Sequence, residues 1–305
     1  MSETLDRATA RLANLEAMEP LLNALRVLSL SSMHMTLNRM RSVENYAARF
    51  TSIAQQLINL SATAKTTSSK GEKSLEIENV KPQKALLIIL GSVRGICGAF
   101  NRNLASKSKE VIREIYAPNV TLEVWAFGAR LQTKLQVEQV AYTAFEPLIS
   151  GSLPDEAKAN QMMRTWLAEF ESGELASVDV LSYRSLKGTS SYQPEVTRLL
   201  PSEKIQVEET PEALPTLWPY PIIEGDPESI LEKIERHLIA IKFYELLLET
   251  VAAENTYRFQ TLEQAKDTTA DLIEELTLEI MTEKRHATTK QIHELVVGAG
   301  LIGPR

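Results

Sequence analysis

Hydrophobic residues near the C-terminus recur at the spacing of a helix that packs along one side. They step by three and four and then continue a sevenfold count, through Leu231, Ile234, Leu238, Ile241, Leu248, Ala252, Phe259 and Leu262. A sevenfold apolar repeat forms the seam along which two helices wind around each other. The pattern predicts a coiled-coil helix over residues 227–305.

The distribution of glycine and proline extends this prediction to both ends of the chain. Residues 228–297 contain neither, and residues 1–70 contain no glycine and one proline. Helix interiors exclude both residue types. About 70 helical residues form a rod of roughly 100 Å, which needs a partner helix.

The N-terminal tract, residues 1–70, supplies a candidate partner. Its apolar stripe consists of Leu12, Leu15, Leu22 and Leu25, continued less regularly by Leu28, Met33, Leu37 and Met40. Pro20 lies within it and predicts a kink or a local break, because proline removes a backbone donor and clashes with the preceding turn.

The middle of the chain alternates strands and helices. Residues 85–90 are continuously apolar and end at Gly91, which is typical of a strand buried on both faces. Asn101 can cap a following helix that runs to about Tyr116, and residues 121–127 give a second strand. A helix over about 154–171 and a strand over 177–183 follow.

This alternation predicts an α/β (Rossmann-like) domain over residues 71–226 with a mainly parallel sheet. Five prolines between Pro211 and Pro227 predict an extended linker into the last helix. Asp226 precedes Pro227 and Glu228, as expected for a helix cap and first turn.

Composition narrows the function classes. The chain is 44% hydrophobic and 24% charged, with a net charge of -7 and one cysteine, Cys97. A single cysteine forms no internal disulfide, and we expect no metal site. The acidic balance and the lack of a dense Lys/Arg block argue against nucleic acid as a partner. With no signal-peptide pattern and no run of about 18 apolar residues, we expect a cytosolic protein.

The loop at residues 91–98 is the one candidate for chemistry in the middle of the chain. It follows a strand and precedes a helix, where phosphate-binding loops occur, yet its glycine spacing fits neither common phosphate-binding motif. We favour a structural turn over nucleotide binding. The four histidines lie in the predicted terminal helices, and no catalytic constellation is recognisable, so we predict no catalytic residue and no cofactor.

Two segments carry motifs of a known family. Residues 85–101 read ALLIILGSVRGICGAFN, which fits D-R-G-L-C-G-x-[FY]-N at Arg94, Gly95, Cys97, Gly98 and Asn101. Residues 253–299 are similar to S-E-x-x-x-R-x-x-A-M-x-x-A followed by L-x-L-x-x-N-x-x-R-Q-x-x-I-T-x-E-x-x-E-I-x-x-G-A. These motifs resemble those of the gamma subunit of the F-type rotary ATP synthase, and the resemblance covers nearly the whole chain.

The resemblance implies a central shaft that couples ion-driven rotation to ATP synthesis or hydrolysis. The terminal helices would form a long antiparallel coiled coil inside a ring of alternating alpha and beta subunits. The other implied partners are an epsilon-type subunit and the membrane c-ring, with no direct small-molecule substrate. Catalysis would belong to the ring, which makes this chain a non-catalytic, peripheral subunit on the cytoplasmic side of the cell membrane.

The resemblance also implies partner contacts at Arg94, Gly95, Lys284, Arg285 and Thr289. Several positions depart from the family pattern. Val93 replaces an aspartate, Pro20 and Ser32 replace lysines, Lys284 replaces an arginine and Arg285 a glutamine. Lysine does not reproduce the planar donor fork of arginine.

Two alternatives remain open at this point. The altered contact positions favour a gamma-like coiled-coil scaffold or regulatory paralogue outside the standard synthase. The loop at residues 91–98 leaves an enzyme or a nucleotide binder as a third hypothesis.

Overall fold

In the residues that the structure describes, a long helix precedes and another follows, in sequence, a five-stranded sheet with three shorter helices. The computed structural model describes residues 3–65, 84–116, 121–149, 151–186, 191–202 and 224–299. The elements are α1 (Glu3–Lys65), β1 (Lys84–Leu90), α2 (Phe100–Ile115), β2 (Thr121–Phe127), α3 (Ala129–Val137), β3 (Thr143–Phe145), α4 (Glu156–Glu171), β4 (Leu175–Ser185), β5 (Tyr192–Leu200) and α5 (Pro227–Gly298). The predicted α/β domain with a long helix at each end is confirmed.

The sheet is mainly parallel, as predicted. Its strand order is β3-β2-β1-β4-β5, and only the β4 and β5 pair is antiparallel. The sequence patterns did not predict the edge strands β3 and β5. The register between β4 and β5 shifts at Val178 and Asp179. The adjacent residues Leu199 and Leu200 lie at this shift, and both are buried in the same core.

Each face of the sheet carries its own core, which explains the uninterrupted apolar run of β1. Leu86, Ile88 and Leu90 pack into a core that includes α4 and α5 residues. Leu87 and Ile89 belong to a second core with residues of α2 and α3. A central parallel strand is covered on both faces, so its side chains do not alternate in polarity.

The chain divides into two compact units, which are described separately. One consists of Met1–Ser31 with Arg258–Arg305, here called the coiled-coil unit, and the other of Ser32–Tyr257, here called the sheet unit. In the sheet unit, the Tyr46 hydroxyl lies 3.1 Å from His237 Nε2, and Ala54 and Leu57 pack with Ile234. Residue numbers rise along α1 as they fall along α5, so the two helices run antiparallel.

In the coiled-coil unit the two helices also run antiparallel. Leu5 and Ala8 form a buried cluster with Leu276 and Ile280. Further along α1, Arg26 Nη1 lies 2.7 Å from Glu263 Oε2. The antiparallel pairing implied by the resemblance is confirmed within each unit.

The seam of α1 differs from the predicted stripe at one leucine. Leu28 is 62% exposed, whereas its neighbour Ser29 is 3% exposed, so the assignment of Leu28 to the stripe was wrong. The Ser29 hydroxyl donates to the Leu25 carbonyl at 2.9 Å, which satisfies it inside the seam. In the sheet unit, the buried Thr36 donates likewise to the Ser32 carbonyl at 2.8 Å. The inward positions 8, 15, 22, 29, 36 and 43 keep a sevenfold count in which two members are polar.

Three further predictions concern the proline inside α1 and the first residues of α2 and α5. α1 continues through Pro20, so the predicted break is wrong and the kink stays a prediction. Asp226 caps α5, because its Oδ2 accepts from the Ser229 backbone nitrogen at 3.0 Å, as predicted. Asn101 does not cap α2, which begins one residue earlier, at Phe100. Most of the predicted proline linker lies outside the described residues.

Candidate interaction site

The loop between β1 and α2 is held closed by its own side chains. Asn101 Oδ1 accepts from the Ser92 backbone nitrogen at 3.0 Å, and Asn101 Nδ2 donates to Ser92 Oγ at 2.7 Å. The same Nδ2 lies 3.3 Å from Cys97 Sγ. All three residues are buried. Asn101 therefore bonds back to the loop, which is why it does not cap the helix.

Two glycines let this loop pack against the start of α3. A Cβ on Gly91 would lie 2.2 Å from Leu131 Cβ, and one on Gly128 would lie 2.6 Å from the Gly91 carbonyl oxygen. Gly128 also has φ +103, a conformation that favours glycine. Glycine is thus needed at both positions so that the loop after β1 can pack closely against the first residues of α3 and the turn before it. This arrangement supports the structural-turn interpretation over a phosphate cradle.

Arg94 and Gly95, two of the predicted contact residues, lie on this loop. Arg94 is exposed and its Nη2 donates to the Gly151 carbonyl at 3.2 Å, which joins the loop to the segment before α4. Gly95 is half-buried, and a Cβ there would approach the guanidinium of Arg130 at 3.9 Å. Arg94 thus holds two loops together.

Ile96 has an unusual backbone conformation in the structure, although sequence patterns gave no reason to select this residue. Its φ is +59 and it is 51% exposed. A β-branched residue with positive φ is a genuine outlier. Periodicity and composition carry no signal for such a position, because backbone dihedrals are not visible in them.

Lys284, Arg285 and Thr289, the other predicted contact residues, lie together near the end of α5. All three are exposed, and Thr289 Oγ1 donates to the Arg285 carbonyl at 2.8 Å. Every residue from 284 to 295 is exposed, including Leu295 at 72% and Ile292 at 56%. In the coiled-coil unit, this end of α5 continues past the residues that pack with the start of α1.

A groove of about 470 Å³ lies between β5 and α5 in the sheet unit. Arg184, Arg198 and Lys242 line it, and each lies close to a carboxylate. Arg184 Nη1 is 2.8 Å from Glu249, and Lys242 Nζ is 3.3 Å from Glu245. Burial raises the pKa of Glu249 despite the nearby Arg184. The paired charges leave this groove without the excess positive charge that an anion site needs.

A buried polar network supports the outer edge of the sheet. Asp179 is 1% exposed and accepts from Arg198 Nε at 2.9 Å and from Arg198 Nη2 at 3.2 Å. The Tyr116 hydroxyl donates to the same carboxylate at 2.7 Å. Burial, together with the hydrogen bond to Asp179, raises the pKa of Tyr116 well above its usual value. The network ties β4, β5 and the end of α2 together.

Two classes of site are not found in the part of the chain that the structure describes. No group of three or more His, Cys, Asp or Glu side chains is arranged to hold a metal ion there. Within the same ranges, no helix is both long and apolar enough to span a bilayer.

Comparisons with known proteins agree on one family. A family model described as ATP synthase matches residues 4–300. The chain is 27% identical over 295 residues to the ATP synthase gamma chain of Verminephrobacter eiseniae, covering 95% of each. It is 25% identical over 298 residues to that of Rhizobium johnstonii, covering 95% of this chain and 96% of the relative.

Solved structures share the fold. A chain of the Euglena gracilis mitochondrial ATP synthase matches with a TM-score of 0.61 at 14% identity, covering 99% of this chain and 97% of that one. A chain of the Tetrahymena thermophila mitochondrial ATP synthase central stalk and c-ring matches at 0.51 and 17% identity, with 80% and 99% covered. Because the family model spans nearly the whole sequence, this chain belongs to the family of ATP synthase gamma chains.

Proposed function

We propose that this chain is the central rotor shaft of an F-type ATP synthase and couples proton-driven rotation to ATP synthesis or hydrolysis in an alpha-beta ring. The observation that carries the proposal is the end of α5. Residues 284–295 are all exposed and include large apolar side chains. A helix end that exposes large apolar side chains and lacks tertiary packing is only marginally stable in water, so this end needs a surrounding partner.

The proposed contact residues are those that the family resemblance implies, and this arrangement supports them. Lys284, Arg285 and Thr289 are exposed on the unpaired end of α5, where a ring subunit can reach them. Arg94 and Gly95 contribute to a second contact through the loop that they help to shape. The further partners in this proposal are an epsilon-type subunit and the membrane c-ring. The c-ring is named in the solved complexes of the Euglena gracilis and Tetrahymena thermophila proteins.

The chain itself contributes no catalytic group in this proposal. Its cysteine is buried beside Ser92 and Asn101, and His237 lies edge-on to Phe50 with a ring separation of 5.0 Å. We place the chain on the cytoplasmic side of the cell membrane as a peripheral subunit. Release from inverted membrane vesicles by a low-salt wash, together with alpha and beta subunits, tests this location.

Reconstitution with the alpha, beta and epsilon-type subunits of the same genome tests the rotor function. The full chain is expected to form a complex with the ring and to restore ATP-driven proton pumping in membranes stripped of their ring. Deletion of residues 284–305 should lower pumping more than it lowers ATP hydrolysis. The matched control is Thr282→Ala, an exposed position just before the deletion.

A double substitution sharpens the test at the contact positions. Lys284→Arg with Arg285→Gln restores the residues that the family usually carries, and we expect pumping at or above the level of the original chain. Arginine can form planar bidentate contacts that lysine cannot. Failure of the full chain to join any alpha-beta ring would rule out the rotor function.

A gamma-like scaffold or regulatory paralogue is the second candidate. The departures at Pro20, Ser32, Val93, Lys284 and Arg285 favour it, because three family contact regions differ in one chain. Purification of the chain from its source cells separates the two candidates. A rotor subunit purifies with alpha and beta subunits, whereas a scaffold purifies without them. A second, more standard gamma gene beside alpha and beta genes would support the scaffold.

We also propose that the chain has three parts, which are helices at residues 1–70 and 227–305 and an α/β domain at residues 71–226. The positions at which α1, β1 and α5 begin and end support it.

A further inference from the structure

In the coiled-coil unit, α1 carries a second apolar stripe beside its seam with α5. The members of this stripe step by three, four and three residues, and they are Met18, Leu21, Leu25 and Leu28. Met18 is 48% exposed, Leu21 59% and Leu28 62%, whereas Leu25 is half-buried. Residues at this spacing share one side of a helix, so the stripe is a continuous surface about 15 Å long.

The stripe lies on an uncharged side of α1. From residue 17 to residue 31 only Glu19 and Arg26 are charged. Arg26 pairs with Glu263 on α5, and Glu19, seven residues earlier, lies on the same side of α1 as Arg26. The opposite border of the stripe consists of small exposed residues, which are Ala17, Ala24 and Ser31. Another helix can therefore approach the stripe closely without meeting a charge.

The other helix of this unit, α5, is acidic. Its residues 263–283 carry seven carboxylates and one lysine, and Asp267, Asp271, Glu274 and Glu275 are exposed. Two copies of the chain that met through this part of α5 would place like charges together, which is unfavourable. The uncharged side of α1 is therefore a surface of this unit on which a second copy can lie without charge repulsion.

The stripe is also complementary to itself. A spacing of three, four and three residues is the same from either end, so an antiparallel copy of α1 matches it position by position. A two-fold axis beside residue 23 places Met18 against the partner's Leu28 and Leu21 against the partner's Leu25. A two-fold contact of this kind uses the same surface on both copies.

We infer that this side of α1 is a self-association site, whose partner is a second copy of the chain bound antiparallel through Met18, Leu21, Leu25 and Leu28. The two helix pairs then form a four-helix bundle in which α1 is covered on two sides. The stripe and its small neighbours provide far fewer residues than the roughly 20–30 a side of a standard interface, so the dimer is weak and reversible. The dimer does not depend on the rotor function proposed above.

Sedimentation equilibrium of the full chain, without ring subunits, measures this dimer. We expect a monomer–dimer equilibrium with a Kd of about 10 μM. Leu21→Glu should weaken the dimer at least about 10-fold, because it places two carboxylates in an apolar interface. Val27→Glu is the matched control, since Val27 is also 59% exposed but lies on another side of α1. The Kd of this control should stay within about 2-fold of that of the original chain.

Cysteine cross-linking tests the antiparallel geometry. The native Cys97 is buried, so cysteines introduced on the exposed stripe report on the contact. Met18→Cys and Leu28→Cys chains should form an oxidised dimer when they are mixed. Neither should do so alone, because the two-fold axis keeps the two copies of residue 18 about 15 Å apart, too far for a disulfide.

Three results would overturn the inference. They are a chain that stays monomeric at about 100 μM, equal weakening by Leu21→Glu and Val27→Glu, and cross-linking of Met18→Cys chains with one another. A monomeric chain whose Leu21→Glu variant binds an alpha-beta ring more weakly would also overturn it and would assign the stripe to the ring. Failure to join a ring, with the dimer intact, overturns the proposed function alone.

Discussion

The sheet unit and the coiled-coil unit bury apolar surface in different ways. In the sheet unit, Leu87, Ile88 and Ile89 are 0% exposed, because helices cover both faces of the strand. In the coiled-coil unit, a two-helix seam buries Leu5 and Leu276 while other leucines face outward, including Leu21 at 59% and Leu28 at 62%. A two-helix pair has no second layer to cover its outer sides. The comparison indicates that the sheet unit has a core covered on both faces, whereas the coiled-coil unit buries only one side of each helix.

The largest expected difference between the two units is in hydrogen exchange. Backbone amides of β1 should exchange only through global unfolding, whereas those of residues 286–297 should exchange by local fraying. The two free energies of opening should differ by about 5 kcal/mol or more. Mass spectrometry of the isolated chain at neutral pH measures both. Amides of α2 around Val111 provide a helical control from the sheet unit, and equal protection of α2 and residues 286–297 would contradict the comparison.

Core truncation should separate the units next. Trp166 is 1% exposed and meets Phe243 edge-on, with their ring centroids 5.2 Å apart. Trp166→Ala should lower the free energy of unfolding of the sheet unit by about 3–5 kcal/mol. Leu276→Ala in the coiled-coil unit should cost about 2 kcal/mol or less, because a two-helix seam can collapse around the gap.

Urea denaturation followed by tyrosine and tryptophan fluorescence measures the effect on the sheet unit. Trp166→Phe is the control and should cost less than about 1.5 kcal/mol. A loss for Trp166→Ala as small as that for Leu276→Ala would break the comparison.

Alkaline pH should weaken the sheet unit through Tyr116. Burial and the hydrogen bond to Asp179 raise the pKa of this phenol above its unfolded value of about 10. Above that pH the unfolded chain loses a proton that the folded chain keeps. The free energy of unfolding should therefore fall by up to about 1.4 kcal/mol per pH unit for this group.

Denaturation series at pH values from 8 to 11, roughly spanning the unfolded tyrosine pKa, check this slope. Tyr116→Phe should flatten it, while lowering stability at neutral pH by about 1 kcal/mol through the lost hydrogen bond. Burial also raises the pKa of Tyr183 and Tyr192, so part of the slope should remain in the variant. An unchanged slope in Tyr116→Phe would mean that this phenol does not contribute.

The smallest expected effect is the coupling between Arg26 and Glu263. Their side chains are 30% and 36% exposed, so solvent screens the 2.7 Å ion pair. A double-mutant cycle with Arg26→Leu and Glu263→Leu should give a coupling energy of about 0.5 kcal/mol. Repetition at high salt should reduce it further. A coupling above about 2 kcal/mol would show that the seam is more strongly desolvated than its exposure indicates.

Much of the fold could be predicted because its signals are local. Glycine-free tracts marked α1 and α5, and the apolar run at residues 85–90 marked the central strand β1. The edge strand β5 gave a weaker signal, because Pro194 and polar residues interrupt it. Strand β3 has only three residues, too few for any pattern.

The candidate site was less predictable because it depends on backbone geometry and on side-chain partners. Leu28 was more apolar than Ser29, yet helix geometry placed the serine in the seam and its hydroxyl bonded to its own helix. Asparagine is a residue type that often caps helices, but the Asn101 side chain found better hydrogen-bond partners in the loop that begins nine residues earlier. The left-handed conformation of Ile96 follows from contacts on either side of it.

The sevenfold count along α1 has a mechanical consequence. A strict period of seven residues in two turns is slightly shorter than that of a straight helix, so the paired helices wind around each other in a left-handed sense. Twisting such a pair in one direction presses the seam residues together, whereas the opposite direction separates them. We therefore expect the coiled-coil unit to be stiffer under torque of one sign, which gives this two-helix pair a preferred direction of load.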